Sequence, residues 1–559
     1  MNQVHRGVAA APGVVVAAPW VFNPPSGGTD RVGLDDAVAA AALELRALAN
    51  RLRDAGRPEE AGILDAQSVM ATDPELIGAA ERRVREGDTD SEAILGAGEE
   101  QAAILAALED EVLSARAADV RDVAERIARV IRGETLPALE HPSIAVAADL
   151  PPSVTAELDP SLLVGIALEA GSPTAHAAIL ARALGIPAVV GVTGLLEAAA
   201  GAAMLGLDGG TGEVTIDPDA TGRERLEAAM VVREELDAAD AALRGIPLAT
   251  RDGHRVMLGA NIGRPQEAAA AAEAGAEGIG LFRTEFMFMG RSSAPTVEAQ
   301  AAAYGEALAP FAGRPAVIRL LDVGGDKQLP YLHQEPQANP FLGVRAIRLA
   351  ERNRSLLVDQ LRGILEAAER SAAETWIMAP MVGDVADIEL VRELIADAGG
   401  SSATVKIGIM VELPAAAVMA DQLAEMVDFF SVGTNDLTQY LLAADRTNSA
   451  LAARQDPMHP AVLRSIRSVI EAGHAHGIPV AVCGEMSGDP AGAVVLTGLG
   501  IDELSMDPRS FGPVKRALAR VTQAEAGDIA ARACDTPSPA AARGIVAELL
   551  ADAVVSSHD

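Results

Sequence analysis

The sequence contains little cysteine, few aromatic residues and no long apolar run. Its two cysteines, Cys483 and Cys534, are too few for a disulfide framework or a zinc-ribbon site. No uncharged apolar run approaches the roughly 20 residues that a membrane span needs, and no signal peptide is visible at the N-terminus. These absences predict a soluble, cytoplasmic protein. The 3% aromatic content reflects an alanine-rich composition more than a function.

Basic side chains are also scarce, and this scarcity argues against nucleic acids and anionic membranes as partners. Across 559 residues, 45 basic and 79 acidic side chains give a formal net charge of −34. Nucleic acids and anionic membrane surfaces both attract proteins through a basic face, so we expect neither as a partner. An acidic protein can still bind an anionic substrate where a few arginines meet in one pocket.

The N-terminal part of the chain has the pattern of a small α/β domain with an insert. Residues 1–20 are small and apolar and predict one strand with a tight turn, and short apolar runs return at 144–148, 162–168, 188–192 and 204–207. Between them the helical period predicts helices over 35–55, 58–71, 73–85, 91–115 and 118–132. We therefore predict an α/β domain of residues 1–20 and 142–220, interrupted by an all-helical insert at 21–141.

The C-terminal part repeats one pattern eight times. Helical stretches separate eight strand-like apolar runs, at 256–261, 278–282, 316–322, 375–379, 405–411, 428–432, 480–483 and 502–505. Eight βα units over about 300 residues are typical of a closed (β/α)₈ barrel of the TIM type. We predict this barrel at 251–559, preceded by a charged linker helix at 221–250.

Polar side chains follow five of these runs, where barrel enzymes carry their chemistry. The segments are Phe282-Arg-Thr-Glu285, Arg319-Leu-Leu-Asp322, Met410-Val-Glu412, Gly433-Thr-Asn-Asp436 and Cys483-Gly-Glu485. Arg283 and Arg319, with Arg446 nearby, can hold a phosphate and a carboxylate. Glu412 and Asp436 are hard oxygen ligands that suit Mg²⁺. The set predicts a site for phosphoryl transfer from a small phosphorylated carboxylate with a divalent metal.

Two residues have more than one interpretation. Cys483 can supply a proton at this site, or it can be a buried apolar cysteine. His176 lies where a turn enters an amphipathic helix, and a helix N-terminus favours an anion such as a phosphoryl group on that histidine. A lone histidine is more often an ordinary surface or core residue.

Several segments, taken in order along the chain, resemble Enzyme I of the bacterial phosphotransferase system, the phosphoenolpyruvate–protein phosphotransferases. They include Ala11-Pro-Gly13, the segment around His176, Phe282-Arg-Thr-Glu285, Leu321-Asp-Val-Gly-Gly-Asp-Lys327, Asn339-Pro-Phe-Leu-Gly-Val-Arg345, Gly433-Thr-Asn-Asp436 and Cys483-Gly-Glu-Met-Ser-Gly-Asp489. Some of these occur in pyruvate phosphate dikinase and phosphoenolpyruvate synthase. The helical insert and the absence of a nucleotide-grasp segment favour Enzyme I.

The resemblance implies a role for each matching residue. His176 is the residue phosphorylated, through Nε2, Thr155 contacts it, and Cys483 protonates the enolate to give pyruvate. Glu412 and Asp436 match the Mg²⁺ ligands. The positions that bind phosphoenolpyruvate are Arg283, Arg319, Arg345, Asn435, Asp436 and Arg446. One departure is Ala175, where the family commonly has serine, and we expect it to tune the histidine rather than abolish transfer.

The resemblance also implies partners. The phosphoryl acceptor is the phosphocarrier protein HPr, docked on the helical insert, in the first step of sugar uptake, and the barrel forms a homodimer. Two other functions stay open. A dikinase-like enzyme would need a nucleotide site, and no such segment is visible. A regulatory scaffold would bind without turnover, which a pyruvate-release assay would reveal.

Overall fold

The structure, a computed structural model, describes most of the chain as two compact units, Met1–Leu236 and Asp237–Asp559. The described residues are 3–22, 29–54, 58–106, 111–171, 176–289, 291, 293–324, 329, 331–332, 335, 337–400, 405–446, 448, 451 and 454–555. Within these ranges, side chains are described except at 58–60, 106, 111–115, 176, 179, 183 and 549–555. No helix in the described ranges has the length and apolar character needed to cross a membrane.

The first unit contains one eight-stranded sheet. Its strands are β1 (Gln3–Arg6), β2 (Val8–Ala11), β3 (Val14–Phe22), β4 (Ser143–Ala147), β5 (Leu163–Leu168), β6 (Ala188–Val190), β7 (Leu205–Asp208) and β8 (Glu213–Ile216). They lie in the order β1-β8-β7-β3-β4-β5-β6-β2. The central ladder β3-β4-β5-β6 is parallel, and the flanking pairs are antiparallel.

The prediction of a single strand over residues 1–20 is wrong, because this segment forms three strands. β1 and β2 lie at opposite edges of the sheet, and β3 lies inside it. The turn between β2 and β3 contains Gly13, whose φ of 138° is one that other residues rarely adopt. An alternation of small apolar residues does not reveal such a change of position in a sheet.

The described residues between β3 and β4 contain the helices of the insert. The helices are α1 (Leu34–Asp54), α2 (Pro58–Met70), α3 (Pro74–Glu86), α4 (Asp90–Ala106) and α5 (Glu111–Arg132). The Asp73 carboxylate accepts a hydrogen bond from the Glu75 amide at 2.8 Å and caps α3. The predicted helix over 91–115 is wrong at its end, since residues 111–115 begin α5. Alanine-rich sequence carries the helical period across this break and hides it.

Further helices follow in the described residues after β4. They are α6 (Pro152–Thr155), α7 (His176–Leu184), α8 (Leu195–Ala199) and α9 (Ala220–Ala242). The division between the two units falls within α9.

The second unit is a closed parallel barrel, as predicted. Its strands are β9 (Met257–Ile262), β10 (Gly278–Phe282), β11 (Pro315–Arg319), β12 (Glu374–Ala379), β13 (Lys406–Val411), β14 (Phe429–Val432), β15 (Val480–Val482) and β16 (Glu503–Met506). Strand β16 pairs with β9 and closes the ring. We call the carboxyl ends of these strands the barrel mouth.

Helices surround the barrel. They are α10 (Glu267–Glu273), α11 (Glu285–Phe288), α12 (Val297–Leu308), α13 (Ala350–Arg370), α14 (Val385–Asp397), α15 (Pro414–Val418), α16 (Ala420–Ala424), α17 (Thr434–Leu442), α18 (Pro460–Ala475), α19 (Pro490–Gly498), α20 (Phe511–Leu518), α21 (Gln523–Cys534) and α22 (Pro539–Val555). Alternate strand residues pack under these helices in one large apolar core. A smaller apolar cluster is formed by Leu281, Val317, Met378, Met410, Phe429 and Cys483.

Candidate active site

The barrel mouth gathers the charged residues that follow successive strands. Arg319 is the last residue of β11, and Arg283 comes directly after β10. Glu412 follows β13, and Asp436 lies in the first turn of α17, after β14. Because all eight strands are parallel, their carboxyl ends meet at one rim. Residues that lie far apart in sequence therefore come together.

Buried ion pairs connect this rim. Arg319 donates a hydrogen bond to Glu285 at 2.7 Å, and its Nη1 lies 3.4 Å from an Asp322 oxygen. Arg345 binds both oxygens of Asp322, at 3.0 and 2.7 Å, and reaches Asp436 at 3.1 Å. We call Glu285, Arg319, Asp322, Arg345, Asp436 and Arg446 the ion-pair network.

The far end of the ion-pair network is more exposed. Arg446 donates a hydrogen bond to the second oxygen of Asp436 at 3.1 Å and is half-buried. Its guanidinium also lies 5.1 Å from the ring centroid of Phe341. Asp436 is therefore held from both sides by arginines.

Burial acts against the charge of Arg319 and Arg345, and the carboxylates outweigh it. Desolvation lowers the pKa of each guanidinium, but adjacent carboxylates raise it above its usual value. These carboxylates are Glu285 and Asp322 for Arg319. For Arg345 they are Asp322 and Asp436. Both side chains stay charged and fixed in the interior.

Glu412 is a further buried carboxyl group at this rim. Its residue is 1% exposed, Oε1 accepts the Met381 amide at 2.6 Å, and Oε2 has no hydrogen-bond partner among the described residues. Burial, followed by the charges of Asp436 and Asp322, raises the pKa of Glu412 to about 8. A buried oxygen in this condition suits a cation, which would favour the ionised form.

Glu412 and Asp436 do not form a complete metal cage. Among the described residues, no group of three or more histidine, cysteine, aspartate or glutamate side chains is arranged to hold a metal ion. Two carboxylates leave most positions of a Mg²⁺ ion open, which fits an ion completed by substrate oxygens and water.

Arg283 and Asn435 lie beside the ion-pair network. Arg283 is half-buried and lines a cavity of about 570 Å³ with Gly484 and Glu485. The Asn435 side-chain oxygen accepts the Glu485 amide at 3.0 Å. Asn435 thus ties α17 to the segment after β15.

Cys483 lies one residue beyond β15 and is 2% exposed. Its sulfur is 3.7 Å from the Val432 carbonyl oxygen, to which the thiol donates. Burial raises the pKa of this thiol to about 11. The sulfur is therefore protonated at neutral pH, which a proton donor requires.

The two predicted residues of the first unit are less fully described. Thr155 is buried at the end of α6, and its hydroxyl donates to the Pro152 carbonyl at 2.8 Å. His176 begins α7, and α6 packs against α7. The His176 side chain and residues 172–175, with Ala175 among them, lie outside the described residues. The contact between Thr155 and His176 stays a prediction.

The sequence did not single out two members of the ion-pair network. Glu285 and Asp322 lie within the segments that drew attention, yet neither was assigned a role. Their importance comes from their pairing with buried arginines: Glu285 pairs with Arg319 on β11, and Asp322 pairs with Arg345, which lies in the connection between β11 and β12. The sequence signal for them was their position within three residues of the end of a barrel strand.

Comparisons with known proteins define the class to which this fold and site belong. Three models of phosphoenolpyruvate-utilising enzymes match in order: the N-terminal model over 6–116, the mobile-domain model over 139–212 and the phosphoenolpyruvate-binding model over 237–523. The site is thus that of a phosphoenolpyruvate-utilising enzyme.

Relatives narrow the class. The chain is 41% identical to a phosphoenolpyruvate-protein phosphotransferase of Streptomyces coelicolor, over 97% of this chain and 98% of that protein. A second one, of Enterococcus faecalis, is 36% identical over 96% and 98%. A multiphosphoryl transfer protein of Rhodobacter capsulatus is 41% identical over 96% of this chain, which spans 67% of that protein.

The chain belongs to the phosphoenolpyruvate–protein phosphotransferase family, the Enzyme I family, and the resemblance is confirmed. It is an enzyme, and membership implies that phosphoenolpyruvate phosphorylates a histidine within the phosphotransferase system. Enzymes of this family use a divalent metal. The roles of individual residues, Mg²⁺ and HPr stay predictions at this point.

The ion-pair network leads to a prediction about stability. Replacing Asp322 by asparagine leaves Arg345 and Arg319 without their shared carboxylate, and we expect a loss of about 3 kcal/mol or more in the free energy of unfolding of the barrel. Urea unfolding of the full chain, followed by Trp376 fluorescence in a Trp20→Phe background, measures this loss.

A matched control is Asp359→Asn. Asp359 pairs with Arg362 at 3.0 Å, but both side chains are about half exposed, so we expect a change below about 1 kcal/mol. Equal losses for the two variants would show that burial does not set the strength of the network.

Proposed function

We propose that this chain transfers the phosphoryl group of phosphoenolpyruvate to His176 and then to the phosphocarrier protein HPr, releasing pyruvate. The observation that carries the proposal is the barrel mouth, where buried arginines, an unsatisfied carboxyl oxygen and a protonated thiol lie on one rim. Each of these groups has a separate task in breaking a phosphoenol ester. A binding scaffold needs no proton donor.

Substrate binding follows from the charges. Phosphoenolpyruvate carries about two negative charges on its phosphate and one on its carboxylate. Arg283 and Arg446 are half-buried at the rim and available to these oxygens, while Arg319 and Arg345 are fixed behind them. Their planar guanidinium groups can pair with phosphate and carboxylate oxygens.

We propose Glu412 and Asp436 as ligands of Mg²⁺. When all of its groups are ionised, the site has no net charge before substrate binds, because four carboxylates balance four arginines. The carboxylates are Glu285, Asp322, Glu412 and Asp436, and the arginines are Arg283, Arg319, Arg345 and Arg446. A trianionic substrate therefore makes the site negative. Mg²⁺, when bound with the substrate, supplies two positive charges against the phosphate and carboxylate oxygens. The partnerless Oε2 of Glu412 supports this assignment.

The proposed reaction has two bond exchanges. The bond between phosphorus and the bridging oxygen breaks as an imidazole nitrogen of His176 bonds to phosphorus, and the arginines stabilise the enolate oxygen left behind. The enolate electron pair then takes the proton from the Cys483 sulfur at C3, while the C–O bond becomes the carbonyl of pyruvate. Cys483 is left as a thiolate, which regains a proton from water.

Labelled phosphoenolpyruvate tests the first transfer. Full-length protein with ³²P-phosphoenolpyruvate and Mg²⁺ is expected to gain acid-labile label, and His176→Ala is expected to gain none. Glu412→Gln is expected to slow labelling by about a hundredfold or more, because transition-state charge loses its counter-ion. His474→Ala, which replaces an exposed side chain of α18, is the control and is expected to retain full labelling. Label on His176→Ala would overturn the proposal.

HPr is the proposed acceptor, and the helical insert is the proposed docking face. The insert exposes large apolar side chains on three helices, Leu43, Val69 and Ile104, each 65% exposed. Contiguous patches of exposed apolar residues are typical of protein contacts, and we propose that these three side chains contribute to one such patch. We also propose a homodimer through the barrel unit, which exposes Phe286, Leu342 and Val418.

If HPr docks on the helical insert, a substitution there impairs transfer to HPr and leaves phosphorylation of the protein by phosphoenolpyruvate intact. Val69→Asp places a charge in the proposed contact, so we expect transfer to purified HPr to fall about tenfold or more while self-phosphorylation is unchanged. Val4→Asp, on the edge strand β1 outside the insert, is the control. Equal transfer by both variants would place the acceptor elsewhere.

A further inference from the structure

The main chain leaves the barrel sheet at Cys483. The last pairs between β15 and β16 are Ala481 with Glu503 and Val482 with Leu504. The Cys483 amide still donates to the Val432 carbonyl at 3.1 Å, but its own carbonyl lies beyond the end of this ladder. A buried carbonyl requires a hydrogen-bond donor. Here the donor is a side chain, the Asn261 amide, at 3.0 Å.

The Asn261 side chain is itself fixed in one orientation. The Ser505 hydroxyl donates to its oxygen at 2.6 Å, and its nitrogen also donates to the Ser505 carbonyl at 3.3 Å. An asparagine amide can turn over and exchange its oxygen and nitrogen. The Ser505 hydroxyl opposes that exchange and keeps the nitrogen directed at Cys483.

The residues after Cys483 are also restrained. A Cβ atom at Gly484 would lie 1.9 Å from the Thr434 hydroxyl oxygen, so the main chain approaches α17 as closely as only glycine allows. The Ser487 hydroxyl donates to the Gly484 carbonyl at 2.6 Å. Val432 on β14 restrains the amide and the thiol of Cys483 from one side. Asn261 on β9 restrains its carbonyl oxygen.

We propose that Asn261, oriented by Ser505, is a positioning residue that directs the Cys483 thiol at C3 of the enolate. The inference rests on the proposed function of Cys483. Phosphoryl transfer to His176 does not use the thiol, so it continues when Asn261 is replaced. The enolate then lacks a placed acid, leaves as enolpyruvate, and takes its proton from water on either face of C3.

The face of protonation therefore reports on Asn261 more directly than the rate does. Phosphoenolpyruvate with one deuterium at a defined position on C3, converted in tritiated water with HPr as acceptor, gives pyruvate whose methyl group is chiral. The full-length protein is expected to give one configuration. Asn261→Leu has similar volume and no donor, and we expect nearly equal amounts of both configurations.

Further variants isolate the hydrogen bond. Asn261→Asp keeps the acceptor for the Ser505 hydroxyl but replaces the amide donor to the Cys483 and Ser505 carbonyls by a carboxylate oxygen. It is therefore expected to behave like Asn261→Leu even if that variant folds poorly. Ser505→Ala keeps the donor but frees its orientation, and an intermediate excess is expected. For all three, the KM for phosphoenolpyruvate is expected to stay within about threefold, since uniform binding is unchanged.

Thr497→Val is the control for loss of a buried hydroxyl. Thr497 is buried on α19, away from the barrel mouth, and its variant is expected to retain one configuration. Cys483→Ala separates the two levels of the claim. If it loses selectivity and the Asn261 variants keep it, the positioning role is wrong and the role of Cys483 stands. If Cys483→Ala itself keeps one configuration, both are wrong.

Discussion

The structure of the barrel mouth depends on burying four arginine and carboxylate side chains together. Arg319 and Arg345 are 6% and 2% exposed, and each would be very costly to bury alone. Glu285 and Asp322 make their burial tolerable, and the bidentate pair of Arg345 with Asp322 fixes the geometry. Charges that are paired and held before substrate arrives need little reorganisation during the reaction.

This balance decides what the other residues can do. The carboxylates of the ion-pair network are occupied by its arginines, whereas one oxygen of Glu412 has no hydrogen-bond partner in the described part of the chain, and the pKa of this residue is raised to about 8. The same burial that protonates Glu412 also protonates Cys483, whose pKa is about 11. In the proposed mechanism, Glu412 binds a cation and Cys483 gives up a proton. Both raised pKa values come from exclusion of water at one rim.

Much of the fold could be predicted from the sequence, because buried parallel strands are continuous apolar runs. The predicted strand at 278–282 coincides with β10, and the runs at 375–379 and 405–411 differ from β12 and β13 by one residue. Position after a strand also marked Glu412 and Cys483 as candidates. The partners Glu285, Asp322 and Asn261 were not predicted, since their roles arise from contacts across strands. The α4–α5 break was lost in alanine-rich sequence.

The central claim is that Glu412 holds the cation that accompanies phosphoenolpyruvate, and proton release tests it most directly. At pH 7.5 a carboxyl group with a pKa of about 8 is mostly protonated, and a bound cation expels that proton. The experiment is a calorimetric titration of His176→Ala protein with Mg²⁺ and phosphoenolpyruvate in buffers of different ionisation enthalpy. We expect binding to release a proton at pH 7.5, and we expect the amount released to fall toward zero by about pH 9. The same titration of a protein that also carries Glu412→Gln is expected to show no such release. Equal release with and without Glu412 would contradict the account.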